Sequence, residues 1–339
     1  MKYSMKKELI MEDRVITLGD IQEAKKRISP YIRRTPLLDQ TAMNDEVGCR
    51  IYLKPEMLQY VGAFKLRGAL NKILSLPEEE RQKGIITSSS GNHAQACAFA
   101  GQLLHCPVVV VIPEDAPQIK INNAKAMGAE VVLWDRSYDA RWAKIAELVK
   151  EHDYVIVHPY QDPMVMAGQG TLALEALEDL PDMDTILVPI GGGGLISGVA
   201  TAIKESNPKI RVIGVQAAAS AAYYESRKAG TCVSVEPLAT VADGLSCRQA
   251  AEVNFKIIER YVDDIVTVEE KDIEEAVRVV ANRGKLIAEP SSCVGIAALL
   301  AGKVKVRPDE KVVSVLTAGN WNIEDIAHIL LGEAGRSVT

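Results

Sequence analysis

No two of the six cysteines (Cys49, Cys97, Cys106, Cys232, Cys247, Cys293) stand close enough to form a CxxC pair. Thiols scattered in this way supply neither a disulfide framework nor zinc-ligand spacing, and they fit a reducing cytoplasm. Cys97 and Cys293 lie in apolar helical runs and read as core residues. Lysine and arginine never gather into a run, and the net charge is -6; both argue against a nucleic-acid partner. The longest apolar stretches, such as Pro107–Pro113, are far too short to span a bilayer. Met1 to Asp20 lacks the apolar core of a signal peptide, so no membrane partner is expected. No internal repeat, low-complexity tract or long linker interrupts the chain. Its 339 residues are enough for two domains, or one domain with a large insertion.

What is present is a regular alternation. Thr17 to Ser29 has the spacing of a helix, with apolar positions at Ile21, Ala24 and Ile28 and a stop at Pro30. Pro36 biases Thr35 toward extended backbone, and Ile51–Leu53 reads as a short strand. From Gly84 the pattern becomes strand Ile85–Thr87, helix Ala94–Leu104, strand Val108–Ile112, helix Ile119–Met127, strand Val131–Leu133, helix Asp139–Lys150 and strand Tyr154–Val157. After a helix at Gly168–Leu180 come strands at Ile186–Pro189, Val212–Gln216, Ile265–Val268 and Val312–Leu316, with helices between and after them. The stretch Ala217 to Cys247 is less regular. This alternation predicts an α/β protein with parallel sheets covered on both faces. A small domain at residues 84–160 is expected as an insertion in a larger one formed by residues 1–83 and 161–339. The chain ends soon after its last helix, so no appended regulatory domain is expected.

Three strand-to-helix loops and one lysine carry chemical promise. Lys65 follows Gly62-Ala63-Phe64 and opens a run with helical spacing (Leu66, Leu70, Ile73, Leu74). At a helix start its ammonium lies near the positive end of the helix dipole, which lowers its pKa. A lysine so tuned can attack a carbonyl and form a Schiff base, although most lysines at helix starts are solvated surface charges. Pro189-Ile190-Gly191-Gly192-Gly193-Gly194-Leu195 runs from a buried strand into a helix. Four glycines are more than a tight turn needs, and they leave backbone N–H groups open to a phosphate. The Gly-Lys-Ser/Thr of a P-loop is missing. The next strand ends Gly214-Val215-Gln216 without the acid of a dinucleotide site. Both nucleotide readings weaken, and a smaller phosphorylated cofactor gains.

Ser88-Ser89-Ser90-Gly91-Asn92-His93-Ala94-Gln95 offers hydroxyls and amides suited to a carboxylate, or an ordinary N-cap cluster. Asn92 could donate to a phenolic oxygen. His93 reads as a helix N-terminal residue bonding neighbouring backbone rather than as a base. In the third loop, Val313 to Asn320, Thr317 at the strand end offers a hydroxyl to a ring nitrogen, or merely ends the strand. In open α/β sheets ligands bind beyond the carboxyl ends of the strands. Taken together, these features point to pyridoxal 5'-phosphate (PLP) held as a Schiff base.

The combination resembles the fold-type II PLP enzymes, in the threonine dehydratase and serine racemase family. The likeness covers nearly the whole chain, from Thr35-Pro36-Leu37 to Thr317-Ala318-Gly319-Asn320. Lys54–Gln59 with Gly62–Ala69 is similar to that family's lysine segment, Ser90–Gln95 to its substrate loop and Gly191–Leu195 to its phosphate loop. The resemblance implies two twisted, parallel-type α/β domains with the active site between them. It implies Lys65 as the Schiff-base lysine, Phe64 packing near the ring and Asn92 bonding the ring O3'. Backbone N–H groups of Gly191, Gly192, Gly193, Gly194 and Leu195 would hold the phosphate, Thr317 would face the pyridine nitrogen, and Glu289 would lie near the cofactor. Ser89, Ser90, Gly91, Asn92 and His93 would bind the carboxylate of a small amino-acid substrate. A homodimer or homotetramer is implied as well.

The chain also departs from the family. Val61 and Ala63 stand where the family has hydroxyls, and Thr317-Ala318-Gly319-Asn320 replaces Ser-Gly-Gly-Asn. Ser90 matches the second acid/base of the serine racemases, where threonine dehydratases commonly have alanine. Gln216 and Ala222 stand where the racemases' divalent-cation site has a glutamate and an aspartate, so no metal site of that type is expected. The implied reaction is β-elimination from a β-hydroxy amino acid such as L-threonine or L-serine, giving a 2-oxo acid and ammonia. An amino-acid racemase is the alternative, and a non-catalytic PLP or amino-acid binding protein is a third possibility.

Overall fold

Short runs rich in valine and isoleucine form the strands. In the computed structural model, which describes residues 14–116 and 118–332, these are β1 (Leu38–Asp39), β2 (Arg50–Pro55), β3 (Ile85–Ser88), β4 (Val108–Pro113), β5 (Glu130–Trp134), β6 (Val155–Ile156), β7 (Thr185–Pro189), β8 (Arg211–Ala217), β9 (Asp264–Val268) and β10 (Lys311–Leu316). They make two sheets. One has the order β1-β2-β10-β7-β8-β9, the other β5-β4-β3-β6. Every pairing is parallel except β1 with β2. The first 13 residues, part of the segment read for a signal peptide, lie outside the described residues.

Helices α1 (Leu18–Ile28), α2 (Asn44–Val47), α3 (Lys65–Ser75) and α4 (Glu78–Lys83) precede the four-stranded sheet. Its strands alternate with α5 (Asn92–Leu104), α6 (Gln118–Ala126) and α7 (Tyr138–His152). After it come α8 (Pro163–Asp179), α9 (Gly194–Ser206), α10 (Ala222–Ala229), α11 (Glu252–Tyr261), α12 (Glu270–Asn282), α13 (Pro290–Leu300) and α14 (Ile323–Leu331). Thr17 and Asp20 cap α1 reciprocally, and Ile21, Ala24 and Ile28 are its buried positions, as the spacing predicted. Helix α8 begins five residues before the expected Gly168. The Asp162 side chain accepts from the N–H groups of Met164 and Val165, and Pro163 takes the first position, where a missing N–H costs nothing. The irregular stretch after Ala217 contains α10, closed by left-handed Gly230.

The six-stranded sheet is buried on both faces. Ile186 and Val188 of β7 join one apolar cluster, with α8, α9 and α11. Leu187 between them joins the other, with α12 and α13, which is the period-two alternation of a strand. Because β2, β10 and β7 are neighbours, the loops after their carboxyl ends converge. Among the described residues no helix is long and apolar enough to cross a membrane.

Candidate active site

The lysine segment leaves β2 through a one-turn 3-10 helix, Glu56–Leu58. Gly62 then turns the chain with φ +65°; a Cβ there would stand 2.6 Å from Asn320 Oδ1. Ala63 pairs with Ala318 in an isolated bridge. Phe64 N–H donates to Thr317 O (3.0 Å) and Gly319 N–H to Gly62 O (3.0 Å). The lysine loop is thus hydrogen-bonded to the loop after β10 before α3 starts at Lys65. Ala63 is fully buried within this bridge.

Lys65 is half-buried. Its ammonium donates to Pro159 O at 2.9 Å and lies 5.1 Å from the centre of the Phe64 ring. Loss of solvent lowers its pKa from 10.5 to about 8, opposed in part by the negative charge of Glu289. Burial is thus the largest cause of the shift.

The glycine run connects β7 to α9. Gly193 has φ +87° and precedes the first turn of α9, which no side chain caps. The first N–H groups of a helix have no intrahelical partner and favour an anion. Two tyrosines back the loop. A Cβ on Gly192 would stand 2.4 Å from the Tyr160 ring, and one on Gly193 would stand 2.5 Å from Tyr223 Oη. Tyr223 Oη donates to Gly192 O (2.9 Å) and accepts from Ala251 N–H (3.1 Å). Asn254 Nδ2 donates to Tyr160 O (2.9 Å) and so holds that ring's backbone. Gly191 packs beside Gly244 O and Leu245, and Leu195 is buried.

The serine loop enters α5 with Gly91 as an N-cap that offers no side chain. Gly91 N–H bonds Ser89 Oγ (3.3 Å), and Ser89 and Ser90 are half-buried. The first-turn N–H groups of α5 are thus without a side-chain cap. Asn92 joins three elements: its Nδ2 lies 3.2 and 3.3 Å from the two Glu289 oxygens, and its Oδ1 accepts from Asn320 Nδ2 at 2.9 Å. Asn320 also donates to Val61 O at 2.7 Å. His93 does bond backbone, at the end of β6 rather than in its own turn: its Nε2 lies 3.1 Å from Val157 O. Burial, with the positive charge of Lys65, pushes its pKa down to about 3. A ring so reluctant to take up a proton is a weak base.

Thr317 Oγ1 lies 2.9 Å from Ser292 Oγ. Ser292 Oγ also lies 2.7 Å from Ala318 O and accepts from Ala318 N–H (2.8 Å). Either hydroxyl can donate in the Thr317–Ser292 bond; when Ser292 donates, the Thr317 hydrogen is free for another acceptor. Gln216 is fully engaged: Nε2 reaches Ile190 O and Ser220 O, and Oε1 accepts from Tyr224 N–H. Ala222, the other position considered for a metal, opens α10.

Sequence reasoning missed Pro159, Tyr160, Tyr223, Asn254 and Ser292. The only available signal was positional. Pro159 and Tyr160 follow the last strand of the small sheet, and Ser292 follows Glu289-Pro290 at a helix start.

An open α/β architecture with an activated lysine and a glycine cradle at converging strand ends defines a fold-type II PLP protein. The family described as pyridoxal-phosphate dependent enzyme matches residues 28–318, and the chain belongs to it. An L-threonine ammonia-lyase of Thermotoga maritima is 40% identical over 327 residues, covering 96% of this chain and 81% of the relative. The processed form of threonine deaminase isoform 2 from Solanum lycopersicum superposes with a TM-score of 0.87 at 34% identity, covering 94% of this chain and 88% of that one. A serine racemase from Dictyostelium discoideum gives 0.86 at 38% identity, covering 91% and 100%. The residues present fit the cofactor: a half-buried amine, and a loop whose glycines admit no side chain on the face packed by Tyr160 and Tyr223.

Proposed function

We propose that this chain is a PLP-dependent ammonia-lyase that eliminates water from a β-hydroxy amino acid such as L-threonine or L-serine, the unsaturated amine then taking up water to give a 2-oxo acid and ammonia. The observation that carries the reading is the Lys65 amine, lowered to a pKa of about 8 and hydrogen-bonded to Pro159 O, in a chain 40% identical to an L-threonine ammonia-lyase. In this reading Lys65 anchors the cofactor and Phe64 packs beside its ring. Backbone N–H groups of Gly191, Gly192, Gly193, Gly194 and Leu195 hold the phosphate, Asn92 meets O3', Thr317 meets the ring nitrogen, and Glu289 supports Asn92. When bound, PLP supplies an electron sink for the α-carbon.

The protein's own groups do the rest. The uncapped first turn of α5, with Ser89 to His93, binds the substrate carboxylate and orients the α-proton. Lys65, with a pKa near the working pH, takes that proton and can return it to the departing β-hydroxyl. The neutral Thr317 hydroxyl donates to the ring nitrogen and cannot keep it protonated. That limits stabilisation at the α-carbon and suits a substrate whose leaving group departs readily.

Incubation with L-threonine and L-serine, following 2-oxo acid and D-isomer separately, tests the proposal. The 2-oxo acid should form faster from both. D-serine forming faster than pyruvate would favour the second reading, an amino-acid racemase, which Ser90 supports. Bound cofactor whose absorbance L-threonine never perturbs would favour a binding protein.

We further propose that residues 84–160 act as one domain and residues 1–83 with 161–339 as another. The containment of β3 to β6 within residues 85–156 supports this. A cytoplasmic homodimer or homotetramer, without nucleic-acid or membrane partners, completes the reading.

A further inference from the structure

Two residues beyond Lys65, on the same helical turn, Arg67 is completely buried. So are Lys54 and Glu56, and Glu175 nearly so. Arg67 Nε and Nη2 donate to the two Glu56 oxygens (2.7 and 2.9 Å), and Nη1 and Nη2 donate to the two Glu175 oxygens (2.7 and 2.8 Å). Thr171 Oγ1 and Thr35 Oγ1 lie 3.2 and 3.3 Å from the same guanidinium. Lys54 donates to Glu175 Oε2 and to Thr35 O, both at 2.7 Å. Thr35 Oγ1 donates to Glu56 Oε1 at 2.6 Å. Two cations meet two carboxylates, so the charges balance.

Stability alone is a poor reason for such a cluster. Desolvating four charges is costly, and well-packed apolar side chains often replace buried ion pairs without loss. What apolar packing lacks is the fixed geometry of a bidentate guanidinium. Here that geometry joins the end of β2, the turn at Glu56, the first turn of α3 and the middle of α8. The same turn is fixed at the next residue: a Cβ on Gly168 would stand 2.5 Å from Arg67 O, and Gln169 Oε1 accepts from Gly68 N–H at 3.2 Å. Rotation of α3 about its axis would break several of these bonds at once.

We propose that Arg67, with Glu56, Glu175 and Lys54, positions the Lys65 amine by fixing the rotation of the first turn of α3. None of the four needs to touch cofactor or substrate; they act through the helix. The inference rests on Lys65 being the PLP anchor.

Three variants of the PLP-loaded protein test it. Arg67→Lys keeps the charge and loses the fork. Lys54→Met with Glu175→Gln removes one charge of each sign. Thr171→Val removes two hydrogen bonds, one from Arg67 and one to Gly168 O, and no charge. The readouts are visible circular dichroism per bound PLP, kcat and KM measured separately, and thermal unfolding. In the charge variants we expect kcat to fall at least about tenfold with KM within about threefold, and the dichroism to fall at least about twofold. Thr171→Val should move both in the same direction by a smaller factor. Dichroism and kcat within about twofold of wild type in every variant that folds, whatever its melting temperature, would leave the cluster a purely stabilising role and overturn the proposal. Borohydride reduction and peptide mapping of the wild type separate the two ideas. PLP fixed elsewhere than Lys65 sinks the site reading, whereas PLP on Lys65 with unchanged variants sinks only the positioning role.

Discussion

The ammonium of Lys65 donates to the backbone carbonyl of Pro159, a residue 94 positions further along the chain. Pro159 belongs to the segment that returns from the four-stranded sheet, and Tyr160 beside it packs on Gly192 and Gly194. Lys65 and the glycine run are therefore held by one short piece of backbone. Replacing Lys65 by alanine should abolish the absorbance of bound cofactor and lower turnover by at least about 10²-fold, as expected for loss of a positioned base. Turnover that persists in a cofactor-loaded Lys65→Ala protein would refute the assignment.

The glycine at position 193 is strained for any other residue. Alanine there must adopt positive φ, at about 1–2 kcal/mol, and its Cβ would meet Tyr223 Oη at 2.5 Å. Titration of Gly193→Ala should show PLP affinity reduced at least about tenfold, with a lower unfolding midpoint. Unchanged affinity would remove Gly193 from the phosphate site.

Lys65 also makes a pH prediction for the cofactor-free protein. The folded state releases its proton near pH 8, the unfolded chain near pH 10.5. Between these values the unfolded state binds more protons, so this residue makes stability rise with pH. Below pH 8 its cost is fully present; above 10.5 it is gone. Urea unfolding of wild type and Lys65→Met, compared at about pH 7.5, 8.5 and 9.5, should show the wild type gaining on the variant across that range. A constant difference would mean an unshifted lysine.

Ser90 distinguishes the two chemistries. In Ser90→Ala, D-isomer formation should fall by about 10²-fold, while 2-oxo acid formation stays within about threefold. Equal losses in both would leave Ser90 its role in carboxylate binding alone and remove it as the second acid/base.

The parts legible in the sequence were those carried by local spacing. Val108–Ile112 could only be a buried strand, and Gly191 to Gly194 could only be a backbone-lined loop. The early start of α8 was also local, in Asp162-Pro163, but an apolar run up to Ala167 concealed it. Arg67 and Glu175 were not legible. Each looks like an ordinary charge on a helix, and burial follows only because they meet across 108 residues. Ser292 and Asn254 share that difficulty: each bonds backbone atoms of a loop distant in sequence, which no spacing rule registers.

The order of strands in the larger sheet has a consequence for how the molecule comes into being. β10, the last strand in the chain, lies between β2 and β7, and the loop after it carries Thr317 and pairs with the lysine segment. Until residues 311–319 have been synthesised and have entered that gap, β2 and β7 lack their common neighbour and the lysine loop lacks its bridge to Ala318. Closing so long a loop is slow compared with local helix formation. Cofactor capture is accordingly a late event on the folding path, and bound PLP marks a chain whose central strand is already in place.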